Sequence, residues 1–418
     1  NTATDLYAGA INLYKCTISS ISTTCGGTGS NTFLNLTHAY GCPPDFGSIA
    51  HVHPAQHGLS YILLNQNTQD VMYFANDGGI YRTLDGYSGL TTGTCGGSNQ
   101  FDSLNQTLGS MTQFVSFSQS SSDPNVILGG TQGNGSPGTA SSLVSSSWQN
   151  VNFGDGGYNQ IDPNNEDAWF VANPPDSLSG VNIFSCASGI DCHTQDFQNN
   201  QIVNSATLGG DTGPYYVPYI LDPQNSNGLI VGTCRMWRGP AAGGGFTVLS
   251  HSFETGGDGI CTGGEVNLVR SLAAGGGLDN NGFSNVMYAG TDGFGPLIPT
   301  SPPGGHVWVS TNVADGASSW VDQTGSINPN NFPISGIAID SSDKSGLTAY
   351  VSIMGLHVSH VWQTSNGGAS WTDFTANLPD APANAILVDP GTSTSNGTVY
   401  VGTDVGVFAA RPRLIGQK

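Results

Sequence analysis

The sequence predicts an all-β protein built as a β-propeller of seven or eight four-stranded blades. Three observations carry that prediction. Runs of about four to seven β-branched, aromatic and aliphatic residues recur along the whole chain, broken by clusters of Gly, Asn, Asp, Ser and Pro. No apolar period near 3.6 residues is sustained, so helices are not the main element. The runs also fall into one repeated order at a spacing of roughly 40 to 60 residues, the mark of a repeat architecture.

The unit is clearest in 158–174 (YNQIDPNNEDAWFVANP), 217–234 (VPYILDPQNSNGLIVGTC) and 384–404 (NAILVDPGTSTSNGTVYVGTD). In each, a strand ends in Asp-Pro or its equivalent, a polar turn follows, and a second strand climbs to a small-residue end. Weaker copies cover 57–77, 114–132 and 334–353. A third strand follows at 79–84, 181–186, 306–311, 360–365 and 406–410, and a fourth closes the unit as FDSLN, WQNVN, WVDQT or WTDFT. Four antiparallel strands per repeat leave only short, protected edges. Two or three sandwiches in series would not repeat the same Asp-Pro turn. One propeller domain over 1–418 is therefore expected, with incomplete terminal blades at 1–48 and 383–418, the first lacking a first strand and the last a fourth.

Charge narrows the partners. The chain has 9 Lys+Arg against 29 Asp+Glu and a net charge of −20, where an ordinary chain is about a quarter charged. Without clustered cations it has no means of holding a phosphate backbone, which excludes nucleic acid. No apolar run reaches the roughly 18–20 residues of a membrane-spanning helix. The chain opens at Asn1 without a basic and apolar signal segment, so a targeting peptide has been removed or the chain is a processed or trimmed piece. Nothing in the sequence calls for a cofactor.

Eight cysteines, none in C-x-x-C spacing, read as four disulfides formed in an oxidising, extracellular setting. The close pairs Cys16–Cys25 and Cys186–Cys192 are hairpin staples, and elimination couples Cys234 with Cys261 and Cys42 with Cys95. Sequons at Asn35, Asn105, Asn134 and Asn396 mark possible N-glycosylation sites in a secreted chain.

Between the third and fourth strands of one unit stands Thr364-Ser-Asn366-Gly-Gly368-Ala-Ser370-Trp371. This resembles the Asp-box (BNR-type) hairpin of sialidases, xyloglucanase-type glycoside hydrolases and the sortilin ectodomain. Its logic is local, with hydroxyl and amide side chains holding the turn, glycines supplying positive φ, and Trp371 plugging between strands. A looser copy runs from Ser310 through Asp315 and Gly316 to Ser319 and Trp320, and Thr83-Leu-Asp85-Gly86 resembles a decayed third. The segments 76–82, 130–135, 154–157 and 402–408 are similar to motifs of secreted Asp-box repeat proteins. The resemblance implies a propeller. It implies no single activity, because this fold hosts enzymes, receptors and scaffolds.

Sialidase chemistry would need three arginines clamping a carboxylate, and the six present, at 82, 235, 238, 270, 411 and 413, are scattered without a repeat-related spacing. Glycoside hydrolysis of the xyloglucanase-like type needs two carboxyl groups across a groove. Asp77, Asp155, Asp292 and Asp404 are the candidates, although Asp in such Gly-containing turns usually bonds its own backbone. Trp237 is a candidate for stacking on sugar. His51, His53 and His57 are the candidate metal ligands. The resemblance implies H-P-D-x-H there, and Ala55 fills the Asp place. His357 and His360 form a second, weaker pair. No G-x-S-x-G, H-E-x-x-H or P-loop pattern occurs, and the glycines at 243–245 precede no Lys.

These readings favour a secreted, non-catalytic structural or adhesive subunit that self-associates or binds other extracellular proteins. A glycoside hydrolase acting on a neutral polysaccharide is the alternative, and a sugar-binding lectin lies between. With so few basic partners, the carboxylates should couple weakly to folding, which implies tolerance of acid.

Overall fold

The computed structural model describes residues 4–18, 25, 33–38, 52–64, 69–83, 101–105, 112–140, 148–174, 180–257, 259–261, 267–293, 304–390 and 397–411. Within them the chain forms eight antiparallel sheets whose strands follow sequence order, six with four strands and the first and last with three. Sheet 1 holds Thr4–Gly9, Leu13–Ile18 and Leu34–Asn35, and sheet 2 holds Gln56–Leu64, Gln69–Asn76, Gly79–Thr83 and Phe101–Ser103. Sheet 3 holds Phe114–Gln119, Ile127–Thr131, Ser136–Thr139 and Gln149–Asn152; sheet 4 holds Asn159–Asp162, Asn165–Ala172, Asn182–Cys186 and Gln201–Asn204. Sheet 5 is Tyr219–Leu221, Gly228–Gly232, Met236–Pro240 and Thr247–Val248; sheet 6 is Val269–Leu278, Ser284–Thr291, Val307–Ser310 and Trp320–Asp322. Sheet 7 is Ile334–Ile339, Ala349–Ile353, Val361–Thr364 and Thr372–Asp373, and sheet 8 is Ala383–Asp389, Thr398–Thr403 and Gly406–Ala410. Two compact units emerge: Asn1–Phe114 with Thr131–Gly135, and Val115–Gly130 with Ser136–Lys418.

In the larger unit, sheets 4 to 8 neighbour one another through successive first strands, and apolar cores fill the spaces between sheets. One joins Val171 and Trp169 to Leu128, another Leu229 and Tyr219 to Ile183, another Val269 and Met287 to Ile230, another Val351 and Ile337 to Tyr288, and a last one Val399 and Val401 to Tyr350. These sheets are propeller blades. A blade covered on both faces wants apolar side chains on both, which is why Gly228–Gly232 (GLIVG) and Ala349–Ile353 (AYVSI) are buried throughout. Fourth strands such as Thr372–Asp373 are exposed.

The small residue that ends each second strand has a packing reason. A Cβ on Gly232 would stand 2.6 Å from Val269, and one on Gly290 would stand 2.5 Å from Ile334, each residue opening the first strand of the next blade. Only glycine admits that approach. In sheet 1, a Cβ on Gly9 would meet Gln56 at 3.0 Å, so Thr4–Gly9 occupies the place of a second strand.

The Asp that ends the first strand caps its own turn. Asp123, Asp162, Asp222, Asp279 and Asp340 each accept a bond from the N–H two residues on, at 2.9, 2.9, 2.9, 2.8 and 2.9 Å. These are Asx turns, repeated through sheets 3 to 7. Asp222 also accepts the Ser284 N–H and hydroxyl, tying sheet 5 to sheet 6.

The 364–371 hairpin is held by its own side chains. Thr364 Oγ1 accepts the Gly368 N–H at 2.9 Å, and Asn366 Oδ1 accepts the Ser370 N–H at 2.9 Å, with Gly367 and Gly368 at φ of 69° and 85°. In the looser copy Ser310 and Ser319 share a hydroxyl bond of 2.6 Å, Asn312 Nδ2 donates to Asp315 at 2.7 Å, and Gly316 has φ 71°. Both closing tryptophans reach back one blade. Trp371 Nε1 donates to the Gln323 carbonyl at 2.7 Å and Trp320 Nε1 to the Leu249 carbonyl at 2.9 Å, each acceptor lying just past a fourth strand.

Disulfides join Cys16 to Cys25, Cys186 to Cys192 and Cys234 to Cys261. Cys42 and Cys95 lie outside the described residues, as does the 84–86 segment. Five of the basic residues form ion pairs: Lys15–Asp5, Arg82–Asp102, Arg235–Asp211, Arg238–Asp279 and Arg270–Asp292.

The expected indifference to acid needs correcting, because the carboxylates bond N–H and O–H groups in place of cations. The Ser345 hydroxyl, with the Thr348 hydroxyl and the N–H groups of both residues, outweighs the effect of burial and holds Asp343 down to about 2. For Asp279, burial pushes up but the N–H groups of Phe283 and Asn281 and the Arg238 guanidinium win, and its carboxyl titrates below the ordinary value.

Two outcomes follow. Asp343 is depressed from 3.8 to about 2 on folding, so its contribution is complete above the unfolded value and fades as pH falls through that window. Calorimetry should give a level Tm down to about pH 5 and a decline between about pH 4 and pH 2, shallower in Asp343→Asn. Trp362 Nε1 is buried without a partner, so Trp371→Phe should cost about 1–2 kcal/mol more than Trp362→Phe in denaturant melts. Equal costs would remove the inter-blade role of Trp371.

Candidate functional site

The strand order gives each blade of the larger unit two ends of different character. One end carries the turns between first and second strands, where the Asx-capping aspartates sit. The other is where second strands end and first strands begin, and there the carboxylates bond side chains from elsewhere in the chain. Asp155, Asp292 and Asp404 all lie at this second end.

Asp155 is held in a built loop. Asn173, at the end of a second strand, donates its amide to the carbonyls of Phe153 (3.3 Å) and Asp155 (3.0 Å), and accepts from the buried Asn152 amide at 2.6 Å. The clamp bends the chain at Gly154, whose φ of 98° suits glycine. Phe153, fixed further through its N–H to Thr194 Oγ1 at 2.9 Å, leaves its ring 66% exposed. The Tyr215 hydroxyl donates to Asp155 Oδ2, and the Tyr215 ring packs edge-on against Tyr216 at 4.9 Å.

Asp292 pairs with Arg270 at 2.9 Å. Tyr158 connects this pair to the Asp155 loop: it lies three residues beyond Asp155, and its hydroxyl donates to the Arg270 carbonyl at 2.9 Å. Burial pushes the Tyr158 phenol up, Asp292 adds to that, and Arg270 opposes it. Asp404 accepts the Asn384 amide at 2.7 Å. The expectation that these aspartates chiefly bond their own turns needs correcting, because Asp77, Asp155, Asp292 and Asp404 bond His57, Tyr215, Arg270 and Asn384, 20 or more residues away.

Trp237 requires a correction. It is 6% exposed and cannot stack on a sugar. Its Nε1 donates to Asp211 at 2.9 Å, and its ring lies under the Arg235 guanidinium at 4.9 Å. Asp211, wholly buried, also takes Arg235 Nη2 at 2.6 Å, Thr233 Oγ1 at 2.8 Å and the Cys261 N–H at 3.1 Å. That many donors is what a buried carboxylate requires. Asp211, Cys234 and Cys261 are the trio of ligand types among the described residues whose donor atoms already lie within 4.8 Å, but the two sulfurs are bonded to each other and offer no thiolate.

In the smaller unit His57 Nε2 pairs with Asp77 Oδ1, and the Asn134 amide donates to the Asp77 carbonyl at 2.6 Å. His53 lies against Gly78, with Nδ1 3.1 Å from the Pro54 carbonyl. His51 is outside the described residues, and His53 and His57 thus face different partners. Ala55 sits at φ 62°, a left-handed conformation that Asp or Asn adopts more readily than Ala. Of the sequon asparagines, Asn35 caps Thr37 and His38, Asn105 bonds Ile80 and Gly78, and Asn396 is outside the described residues.

The residues that sequence reading missed are Phe153, Asn173 and Tyr215. Asn173 follows a second strand in the ANP of the 158–174 repeat, where a polar residue after a small-residue end was the one available signal.

No protein-family model and no curated protein matches the chain. Among solved structures it is similar to a GH74 enzyme from Niastella koreensis at 16% identity and TM-score 0.40, covering 72% of this chain and 52% of that one. An ancestral GH74 enzyme aligns at 14% identity and TM-score 0.49, over 88% of this chain and 44% of that one. The GH74 xyloglucanase from Xanthomonas campestris aligns at 12% identity and TM-score 0.39, over 72% and 52%. The chain thus spans about half the length of these proteins.

Proposed function

We propose that the protein is an extracellular glycoside hydrolase acting on a neutral polysaccharide, with Asp155 and Asp292 as its carboxyl pair. The observation that carries this reading is the clamped loop that presents an exposed aromatic ring, Phe153, beside a carboxyl group, Asp155. An aromatic face suits the apolar face of a sugar ring, and a sparsely charged surface suits an uncharged polymer. Cleavage needs one carboxyl to protonate the leaving oxygen and another to activate water or attack the anomeric carbon. Arg270 holds Asp292 and the Tyr215 hydroxyl holds Asp155, so each carboxyl group is fixed by a partner from another part of the chain. The three disulfides agree with an oxidising compartment. Incubation with a panel of neutral polysaccharides should release reducing ends, and Asp155→Asn should lower the rate by about 100-fold or more while polysaccharide binding survives. Binding without release by the wild type would make the protein a lectin.

A structural subunit is the second reading, favoured by sheet 8. Its residues Leu387, Val405 and Val407 are exposed, Val407 by 76%, and among the described residues Gly406–Ala410 pairs on one side. A strand or blade of a second copy would cover them. Light scattering should then show mass rising with concentration, and Val407→Lys should abolish the rise; a constant monomer mass would exclude this reading.

A further inference from the structure

We propose that sheet 7 carries a binding site for a divalent transition metal ion of the Zn2+ class, formed by His360, Asp380 and His357. The three residues line an open cavity of about 460 Å³ at the loop between the second and third strands, with Asp373, Thr375 and Leu378 completing its wall.

His360 is the anomaly that points to a ligand. It is 2% exposed, its Nδ1 has no partner, and its Nε2 is 3.4 Å from Asp380 Oδ1. The neighbouring blade shows what such a residue does otherwise. His306 occupies the same place in sheet 6 and bonds Asp322 at 2.8 Å. In sheet 7 the corresponding Asp373 is already taken, by the Ser359 hydroxyl at 2.6 Å and the Thr375 N–H at 2.8 Å. The His360 ring is thereby left buried, with Nε2 turned to Asp380 and Nδ1 without a partner.

A separation of 3.4 Å is long for N–H···O. It matches two ligands of one ion, since bonds of about 2.0–2.1 Å at a tetrahedral angle set donors about 3.3–3.4 Å apart. His357, three residues before His360, meets both carboxylate oxygens: its N–H donates to Asp380 Oδ1 at 2.6 Å, fixing the carboxylate beside His360, and its Nδ1 stands 2.6 Å from Asp380 Oδ2. Its side chain is 88% exposed, so it can turn inward to complete a set of two imidazoles and a carboxylate. That donor set suits Zn2+, Ni2+ or Cu2+, with water in the remaining position. Ligation through Nε2 leaves the His360 Nδ1 proton without an acceptor. Missing outer partners cost about 10–100-fold in affinity, so the dissociation constant should be on the order of micromolar.

The test is titration of the full chain with Zn2+ by calorimetry and with Co2+ by visible absorption, neither of which depends on hydrolytic activity. One ion should bind at this site, with Co2+ giving ligand-field bands. His360→Gln and Asp380→Asn should remove the binding and the bands, and His357→Ala should weaken binding by about 10-fold or more. The double variant His53→Ala/His57→Ala should keep it, which separates this site from the other histidine cluster. Asp380 and His357 lie at the surface, so their variants report on the site and not on folding. Wild-type affinity and an unchanged Co2+ spectrum in those two variants would overturn the proposal, as would the absence of wild-type binding up to about 1 mM Zn2+.

Discussion

A shortage of cations governs how this protein satisfies its carboxylates. With nine basic residues against twenty-nine acidic ones, ion pairs can serve only a minority, and the rest must find N–H and O–H donors. The chain supplies these in a regular way, by placing Asp where a first strand ends and the N–H two residues on turns back toward it. The turn that opens each blade and the burial of its negative charge are thus one solution. The few cations reach carboxylates that are almost wholly buried, as at Asp211 and Asp279.

The same residue type divides into two roles by position. Aspartates at one end of the blades cap their own turns, Asp222 and Asp279 adding bonds to Ser284 and Arg238; at the other end Asp155, Asp292, Asp404 and Asp322 bond Tyr215, Arg270, Asn384 and His306, and Asp322 also accepts the Thr324 N–H of its own turn. The second group is where a ligand would meet a carboxyl group whose geometry is fixed by a partner distant in sequence.

Much of the fold was legible because it is repetitive. The Asp-Pro turn, the small end of the second strand and the closing Trp each answer to one contact, respectively a backbone cap, a close approach at Gly232 or Gly290, and a bond to the preceding blade. The site was less legible, because it depends on pairs separated by about 60 residues, such as Asp155 and Tyr215. Trp237 shows the difficulty well. Read along the strand it stood as a candidate for stacking on sugar, whereas Asp211, distant in sequence, draws Arg235 and Trp237 together into the interior. Single-sequence patterns report spacing along one strand and carry no information on which loops the blades bring together.

The apolar cores of the larger unit lie between sheets and not within any one of them. Each of sheets 4 to 7 therefore owns half of two interfaces and no complete core of its own. Stability in such a chain behaves as a sum over adjacent pairs, so a change in one blade is felt by its two neighbours and little beyond. Loops where second strands end can diverge blade by blade without disturbing the stack that carries them, and adjacent blades with the same His-Val-Trp strand can acquire the different histidine environments seen at His306 and His360.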